Sequence, residues 1–485
     1  DPDSKMARLV SRIASLLPEH SQQALECLTL MASNESARSE FQSSEESILK
    51  LLKLWSADDG SGKVQSVIFG MMQPVNNDSM RPTPTAALEY LCKNLEASSA
   101  EREFEVISFL VVMLTRYSPN PKMRKNPPKW AVSIKNVLEK LFCNKLGVSQ
   151  RDLALTLSSI VIRWFGSGFL IKEGTKPWIV YIQIVCAEVR VLLDQTETSE
   201  SDDRTGHMLP ICLEILREIV NLLVNSSDDD AANLILLSST RQALVGTIVA
   251  LIAYLDDVYA NYELQKISDG AERAYRRLDN HNVILSLRVV ADWIAEENDM
   301  PKKELDATLR CAVLLCSKGT TSLDIHPIEF LTPLFSAITT SANTLAMFLE
   351  LGGFDLISIC LKGKTERSKL LDQSLVSILL NILVVDPEGG RGAASAEDWL
   401  DLARSCVGLL GLKPYKPQTA DDKTCFAVIS SFAAIIANRY NSLLNVNDVL
   451  NGVVCEFLDF GRRASADDDS SWIEIEEMWL LTCQA

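Results

Sequence analysis

A chain of 485 residues is longer than one compact core usually holds, so it implies several domains or an extended repeat architecture. With 47 % hydrophobic and 23 % charged residues, its composition is that of a folded protein, with disorder limited to short segments. The net charge of −17 argues against nucleic acid as a partner, since phosphate recognition needs a clustered basic surface; a local basic patch remains compatible with it, and the acidic balance favours basic protein surfaces.

Taken in chain order, apolar residues recur with a 3.6-residue period. "KMARLVSRIASLL" (5–17) places Met6, Leu9, Val10, Ile13 and Leu16 on one face. "SEESILKLLKLW" (44–55) opens with a Ser and Glu helix-start signal and continues through Ile48, Leu51, Leu52 and Trp55. The same period predicts helices over 83–96, 101–115, 130–142, 150–164, 209–224, 231–254 and 281–295. It resumes over 302–316, 327–349, 366–385, 396–411, 422–437, 443–459 and 471–482. The Asp-Gly pairs at 59–60 and 269–270 and the Asn-Gly at 451–452 have no alternating runs beside them, so hairpins are not expected. The fold class expected is all-α.

Helices of about 12 to 22 residues joined by short polar turns have the scale of helix-pair repeats of roughly 40 residues. No repeating signature is visible, so the repeats would be degenerate. The expectation is an extended armadillo/HEAT-like α-solenoid, with residues 1–130 as N-terminal helical repeats and 131–485 as their continuation. Four loops punctuate it. "RYSPNPKMRKNPPKW" (116–130) carries four prolines and five basic residues and reads as an extended connector. "DQTETSESDDR" (194–204) is acidic. "QKISDGAERAYRRLDNH" (265–281) is basic through Arg273, Arg276 and Arg277, and "VDPEGGRGAASAEDW" (385–399) is Gly-rich. All four read as solvated loops, the places where binding specificity tends to sit on a rigid scaffold.

A spanning helix needs roughly 20 apolar residues. The apolar runs 177–187 and 374–385 are shorter and interrupted by Gln183 and Asn381, so no transmembrane segment is expected. Residues 175–197, "TKPWIVYIQIVCAEVRVLLDQTE", are crowded with β-branched residues but read best as a buried helix. At about 100° per residue, Trp178, Ile182, Val185, Cys186, Val189 and Leu192 share one face. Val180, Ile184 and Val191 lie nearly opposite, as in a helix packed between neighbours. Gln183, Arg190 and Asp194 form a narrow polar strip in which Arg190 and Asp194 can pair. Glu188 points into the apolar arc, so burial demands a charged partner from an adjacent helix, with Arg163 and Arg217 as candidates.

Catalytic chemistry is hard to find. The four histidines His20, His207, His281 and His326 lie in separate segments without a second ligand at metal spacing, so no metal or cofactor is expected. The twelve cysteines contain no Cys-x-x-Cys; the closest pair is Cys311 and Cys316. Cys27, Cys92, Cys186, Cys212, Cys360 and Cys455 sit in apolar helical stretches, as reduced core thiols of a cytosolic protein would. "DGSGKVQ" (59–65) lacks the first Gly and the Ser or Thr of a phosphate loop and reads as a helix-start turn. "WFGSGF" (164–169) has Phe165 where a nucleophile elbow needs Gly. No catalytic residue is assigned; a helical enzyme with a dispersed Cys–His site is the alternative from another class.

Several stretches resemble the neurochondrin family. They are "NKLGVSQRDLALTLSSIVIRWFGSGFL" (144–170), "CAEVRVLLDQTE" (186–197), "LRVVADWIAEEND" (287–299), "LLNILVVDP" (379–387) and "WIEIEEMWLLTCQA" (472–485). They occur in the family's order and cover most of the chain after about residue 140, with a weaker match before it. The resemblance implies a cytoplasmic, non-enzymatic helical scaffold that binds proteins. Family members are linked to neurite outgrowth, to restraint of calcium/calmodulin-dependent protein kinase II, and to receptor tails and Rab-type small GTPases. A trafficking or Rab-type GTPase regulator on the same fold is the second reading. The chain ends within an amphipathic pattern without a stop signal, and family members continue further, so truncation at the C-terminus is expected.

Overall fold

A computed structural model describes residues 9–10, 12–16, 21–57, 62–75, 83–97, 100–118, 121–171, 176–196, 203–224, 231–268, 275, 279–295, 302–319, 326–363, 368–386, 395–410, 419–440, 444, 449–466 and 472–484. Every regular element among these residues is helical, as the periodicity requires. The chain divides into two compact units, Asp1–Thr247 and Ile248–Ala485.

After helical residues 9–10 and 12–16, within the predicted 5–17 helix, the first unit runs through α1 (Ser21–Met31), α2 (Glu35–Ser43), α3 (Glu45–Ala57), α4 (Lys63–Met71), α5 (Thr85–Ala97) and α6 (Ala100–Arg116). It continues with α7 (Pro121–Lys125), α8 (Lys129–Phe142), α9 (Val148–Phe165), α10 (Ser167–Ile171), α11 (Lys176–Thr196) and α12 (Asp203–Val224). The division between units falls inside α13 (Ala231–Ser268).

Within this unit the helices form pairs laid in two rows. One row runs α3, α5, α8, α11 and the other α6, α9, α12, while α5–α6, α8–α9 and α11–α12 pack across the rows. A helix with neighbours on both sides of its row and a partner across must be apolar around most of its circumference. That explains α9, which buries Leu155, Leu157, Ile160, Val161, Ile162 and Trp164 in nearly continuous succession. Burying each such side chain contributes roughly 1.5–3 kcal/mol relative to exposure. The helix ends where Gly166 takes φ +86°, a left-handed conformation that suits glycine.

Several helix C-termini in this unit are closed by guanidinium groups. Arg102 donates to the carbonyls of Trp55 and Ser56 at 3.1 and 2.9 Å while lying over the Trp55 ring. Arg116 Nε donates to Met72 O at 3.0 Å, and Arg38 Nη1 to Ala32 O at 2.8 Å. These bonds satisfy carbonyls that a helix end leaves without an intrahelical donor.

The second unit contains α14 (His281–Ile294), α15 (Lys302–Ser317), α16 (Ile328–Ile338), α17 (Ala342–Glu350) and α18 (Gly353–Lys362). After them come α19 (Lys369–Val385), α20 (Ala396–Leu409), α21 (Ala420–Arg439), α22 (Val449–Ala466) and α23 (Trp472–Gln484). The two-row pattern recurs: α14, α16, α19, α21 and α23 in one row, α15, α18, α20 and α22 in the other. The inner helix α21 buries every residue from Cys425 to Ala434. Its Ser431 hydroxyl donates to Met478 O at 2.9 Å, joining α21 to α23. Capping boxes at Ser395/Asp398 and Thr419/Asp422 start α20 and α21.

Some expectations need correction. The predicted helix over 327–349 is broken into α16 and α17, because the Thr339 and Thr340 hydroxyls bond back to Phe335 O and Ala337 O and compete with the helical ladder. Asn381, which interrupts an apolar run in the sequence, donates to Ser336 O and Thr339 Oγ1 at this break. Helices α1, α2, α4, α10 and α18 fall outside the predicted ranges; α2 buries only Ala37, Phe41 and Gln42, too narrow a stripe to show a period. The 116–130 connector contains the short helix α7 rather than being extended throughout. Of the other loops, 197–202, 269–274, 276–278 and 387–394 lie outside the described residues, and so do Arg273, Arg276 and Arg277. The flanks of those loops belong to α11, α12, α13 and α20. The predicted helix 231–254 runs on to Ser268, and its segment Thr240–Ile267 is long and apolar enough to cross a membrane, with 33 % of its most apolar window buried. That segment also contains Arg241, Asp256, Asp257, Glu263 and Lys266. The expectation that no stretch reaches spanning length is corrected to this extent.

Candidate functional site

Helix α11 is the predicted buried helix, and its Glu188 is the charged residue the structure buries there, at 6 % relative exposure. The expectation that a buried carboxylate recruits cations from neighbouring helices holds, but the partners are Arg151 and Arg204 rather than Arg163 or Arg217. Arg204, on the first turn of α12, donates from Nη2 to Glu188 Oε2 at 2.7 Å. The same guanidinium grips Asp152 of α9 through Nε and Nη2, both at 2.7 Å. Arg151 Nε lies 2.6 Å from Glu188 Oε1 as a charge contact whose N–H is not aligned for a hydrogen bond. Two cations and two carboxylates from three helices therefore close on one another. The hydrogen bonds that Arg204 donates to Asp152, and then the one it donates to Glu188, push its already high pKa further up despite partial burial.

Arg163 instead pairs with Glu214 at 3.2 Å on an exposed surface. The predicted Arg190–Asp194 pair is not formed; Arg190 Nε donates to Cys186 O of its own helix at 3.3 Å. The second apolar face of α11 is only partly covered, since Val191 is 46 % exposed.

Next to the ion cluster lies the Cys212 thiol, pushed up to about 12 by burial and then by the charges of Glu188 and Asp152. Burial likewise raises Cys92 and Cys311 to about 12 and Cys186 to about 11. Nucleophilic thiols are lowered, not raised, so these side chains act as small apolar groups. Cys360 is also buried, but Cys27 and Cys455 are exposed, which corrects the expectation of core placement for those two. His207 and His281 are exposed, and His326 Nδ1 accepts the Ile328 N–H at 3.2 Å as a helix-start contact. His20 lies outside the described residues. Among the described residues, no three His, Cys, Asp or Glu side chains are grouped to hold a metal ion.

The phosphate-loop look-alike begins α4, with Gly62 in the left-handed region at φ +66° as its N-cap. Its helix forms one wall of a cleft of about 600 Å³ between α1, α3 and α4. Leu25, Leu54, Val64 and Val67 supply apolar lining, with Glu26 and Lys63 as charged members. Neither the cleft nor the ion cluster was legible as a site in the sequence. The ion cluster needed the neighbour of each helix, and the cleft depends on α1 and α4, whose patterns are short.

Comparison with known proteins gives a consistent picture. A family model described as Neurochondrin matches residues 13–385, which takes in the N-terminal helices as well as much of the second unit. Neurochondrin of Xenopus laevis is 21 % identical over 418 residues, covering 72 % of this chain and 53 % of that relative. The chain thus spans about half the length of the curated relative it matches. No solved structure matches it.

Proposed function

The chain belongs to the neurochondrin family, and from that premise we propose that it is a non-enzymatic protein–protein interaction scaffold whose rows of helix pairs are degenerate α-solenoid repeats of armadillo/HEAT type. The observation that carries this reading is that the family match crosses the stacked helices of both units. A match that runs over stacked helices more than over one pocket supports a binding platform as the shared feature. The raised pKa values of Cys92, Cys186, Cys212 and Cys311 support the non-enzymatic part, because they place these thiols far from nucleophilic use at neutral pH.

In its finer form, the proposal is a cytoplasmic regulator of signalling of the kind linked to neurite outgrowth, acting by restraint of calcium/calmodulin-dependent protein kinase II or by engagement of receptor tails. The test uses the purified full chain and purified kinase. Phosphorylation of a synthetic substrate peptide, followed with increasing chain, should fall in step with complex formation measured by size-exclusion chromatography. Unchanged kinase activity together with no complex, at excess chain, would remove the kinase reading.

A further inference from the structure

One stretch of this acidic chain is strongly basic. Between residues 121 and 150 there are seven lysines and arginines and a single acid, Glu139, within a chain of net charge −17. Glu139 does not neutralise the surface, because it is half-buried and accepts the Trp178 Nε1–H at 3.1 Å. Other arginines of the first unit are engaged inside the fold: Arg38, Arg102 and Arg116 on helix-end carbonyls, Arg151 and Arg204 on Glu188. Arg124, Lys125, Lys129 and Lys145, by contrast, are exposed and form no ion pair with any described residue.

Their placement is continuous. Arg124 and Lys125 end α7, and only Asn126, Pro127 and Pro128 separate them from Lys129 at the start of α8. Five residues span at most roughly 18 Å, so these three cations share one neighbourhood. Along α8, Lys129, Val132, Asn136 and Lys140 fall on one face at 100° per residue, and all are exposed, Val132 by 44 %. Lys140 Nζ sits 3.5 Å from Glu103 Oε1, yet the lysine side chain stays 68 % exposed. The face from Lys129 to Lys140 is about 16 Å long.

We propose that this surface, from Arg124 through Lys129 to Lys140, docks a short acidic peptide segment of a partner protein, with Val132 receiving an apolar residue from it. The proposal rests on the scaffold reading and names the partner chemistry. Its length, about 34 Å at most, matches roughly ten residues of extended chain. A nucleic acid or an anionic bilayer would extend past the patch onto a surface whose remaining charge is strongly negative. Screening over roughly 8 Å at physiological salt does not hide that repulsion from a contacting polyanion. A short peptide meets mainly the cations; the exposed acid beside them is Glu96, whose Oε1 accepts the Ser133 hydroxyl at 2.7 Å and is thereby partly occupied.

The probe is a fluorescein-labelled peptide of repeated Glu-Glu-Leu units, titrated with the full chain and read by fluorescence anisotropy. Saturable binding that weakens as salt rises is expected. The double variant Lys125→Glu/Lys129→Glu should bind about tenfold more weakly. Lys53→Glu, at an exposed lysine of α3, should bind as the parent does. Thermal melting by circular dichroism checks that both variants are folded, and Lys125→Ala/Lys129→Ala replaces the double reversal if it is not. Equal binding by the basic-surface variant and the parent, or no binding by the parent, overturns the assignment. So does tighter binding to phosphatidylserine vesicles or a single-stranded oligonucleotide than to the peptide. A chain that binds the kinase but takes up the peptide independently of these lysines loses this surface alone. A chain that takes up the peptide through them but forms no complex with the kinase keeps the surface and loses the kinase reading.

Discussion

Replacing Glu188 by Gln tests whether the buried cluster holds α9, α11 and α12 together. The substitution keeps the side chain's shape and removes its charge from two contacts, Arg151 Nε and Arg204 Nη2. A hydrogen bond to a charged group contributes about 1.5–3 kcal/mol, and breaking a fully buried pair costs about 3–5 kcal/mol. The lower part of that range applies here. The Arg151 and Arg204 side chains are 26 % and 19 % exposed, and Arg204 keeps both bonds to Asp152, so the stranded cations regain some solvation. We expect Glu188→Gln to destabilise the first unit by about 2–3 kcal/mol. Its coupling with Arg204→Gln in a double-mutant cycle should be about 1–2 kcal/mol. Arg163→Gln removes an exposed pair, with side chains 62 % and 42 % exposed, and should cost no more than about 0.5 kcal/mol. Because a chain with two compact units is not guaranteed to unfold in one step, hydrogen exchange of α9, α11 and α12 amides in urea is the assay. If Glu188→Gln costs no more than Arg163→Gln, or the cycle shows no coupling, the cluster does not tie these helices.

Two further outcomes follow from packing and burial. A Cβ added at Gly461 of α22 would overlap the Trp479 ring of α23, whose Nε1 donates to Leu458 O at 3.4 Å. Gly461→Ala should therefore cost about 1–3 kcal/mol and speed hydrogen exchange in α23, and unchanged exchange would show that the two helices do not meet as closely as this. Of the twelve free thiols, Cys27, Cys143, Cys455 and Cys483 are exposed. Ellman's reagent on the native chain at neutral pH should modify those four rapidly and the other eight only on unfolding; rapid modification of Cys212 would contradict its burial.

The helical class was legible because it depends only on spacing along the chain. The 3.6-residue period marks α3, α9, α11 and α21 wherever apolar stripes are broad, and it fails at α2, whose stripe is narrow, and at α16–α17, where threonine hydroxyls break one continuous pattern. The need of Glu188 for a partner was legible for the same local reason. Its partner's identity was not, since a wheel gives the face of a residue but not which turn of the next helix lies opposite. A signal was nonetheless present. Glu188 and Arg204 are only 16 residues apart in sequence, and their contact sets the start of α12 beside the end of α11. Arg217 stands 13 residues further along α12, about 20 Å away along its axis. Arg151 and Arg163 differ likewise by 12 residues, about 18 Å along α9. Connection length thus favours the first-turn arginines over those chosen by face alone.

The same distinction between sum and placement governs the charge. A net value of −17 adds cations of unlike fate: Arg102 and Arg116 on carbonyls, Arg204 on two carboxylates, Lys125 and Lys129 in solvent. Only the last kind contributes to a surface that a partner can meet. The sequence marks 116–130 as carrying five basic residues, but Arg116 leaves that group once its Nε closes the end of α4. Lys140, outside the marked loop, joins it because α8 carries the exposed face onward from Lys129. The basic surface is therefore a property of two helices and the proline turn between them, and it becomes visible only when the internal uses of arginine have been subtracted.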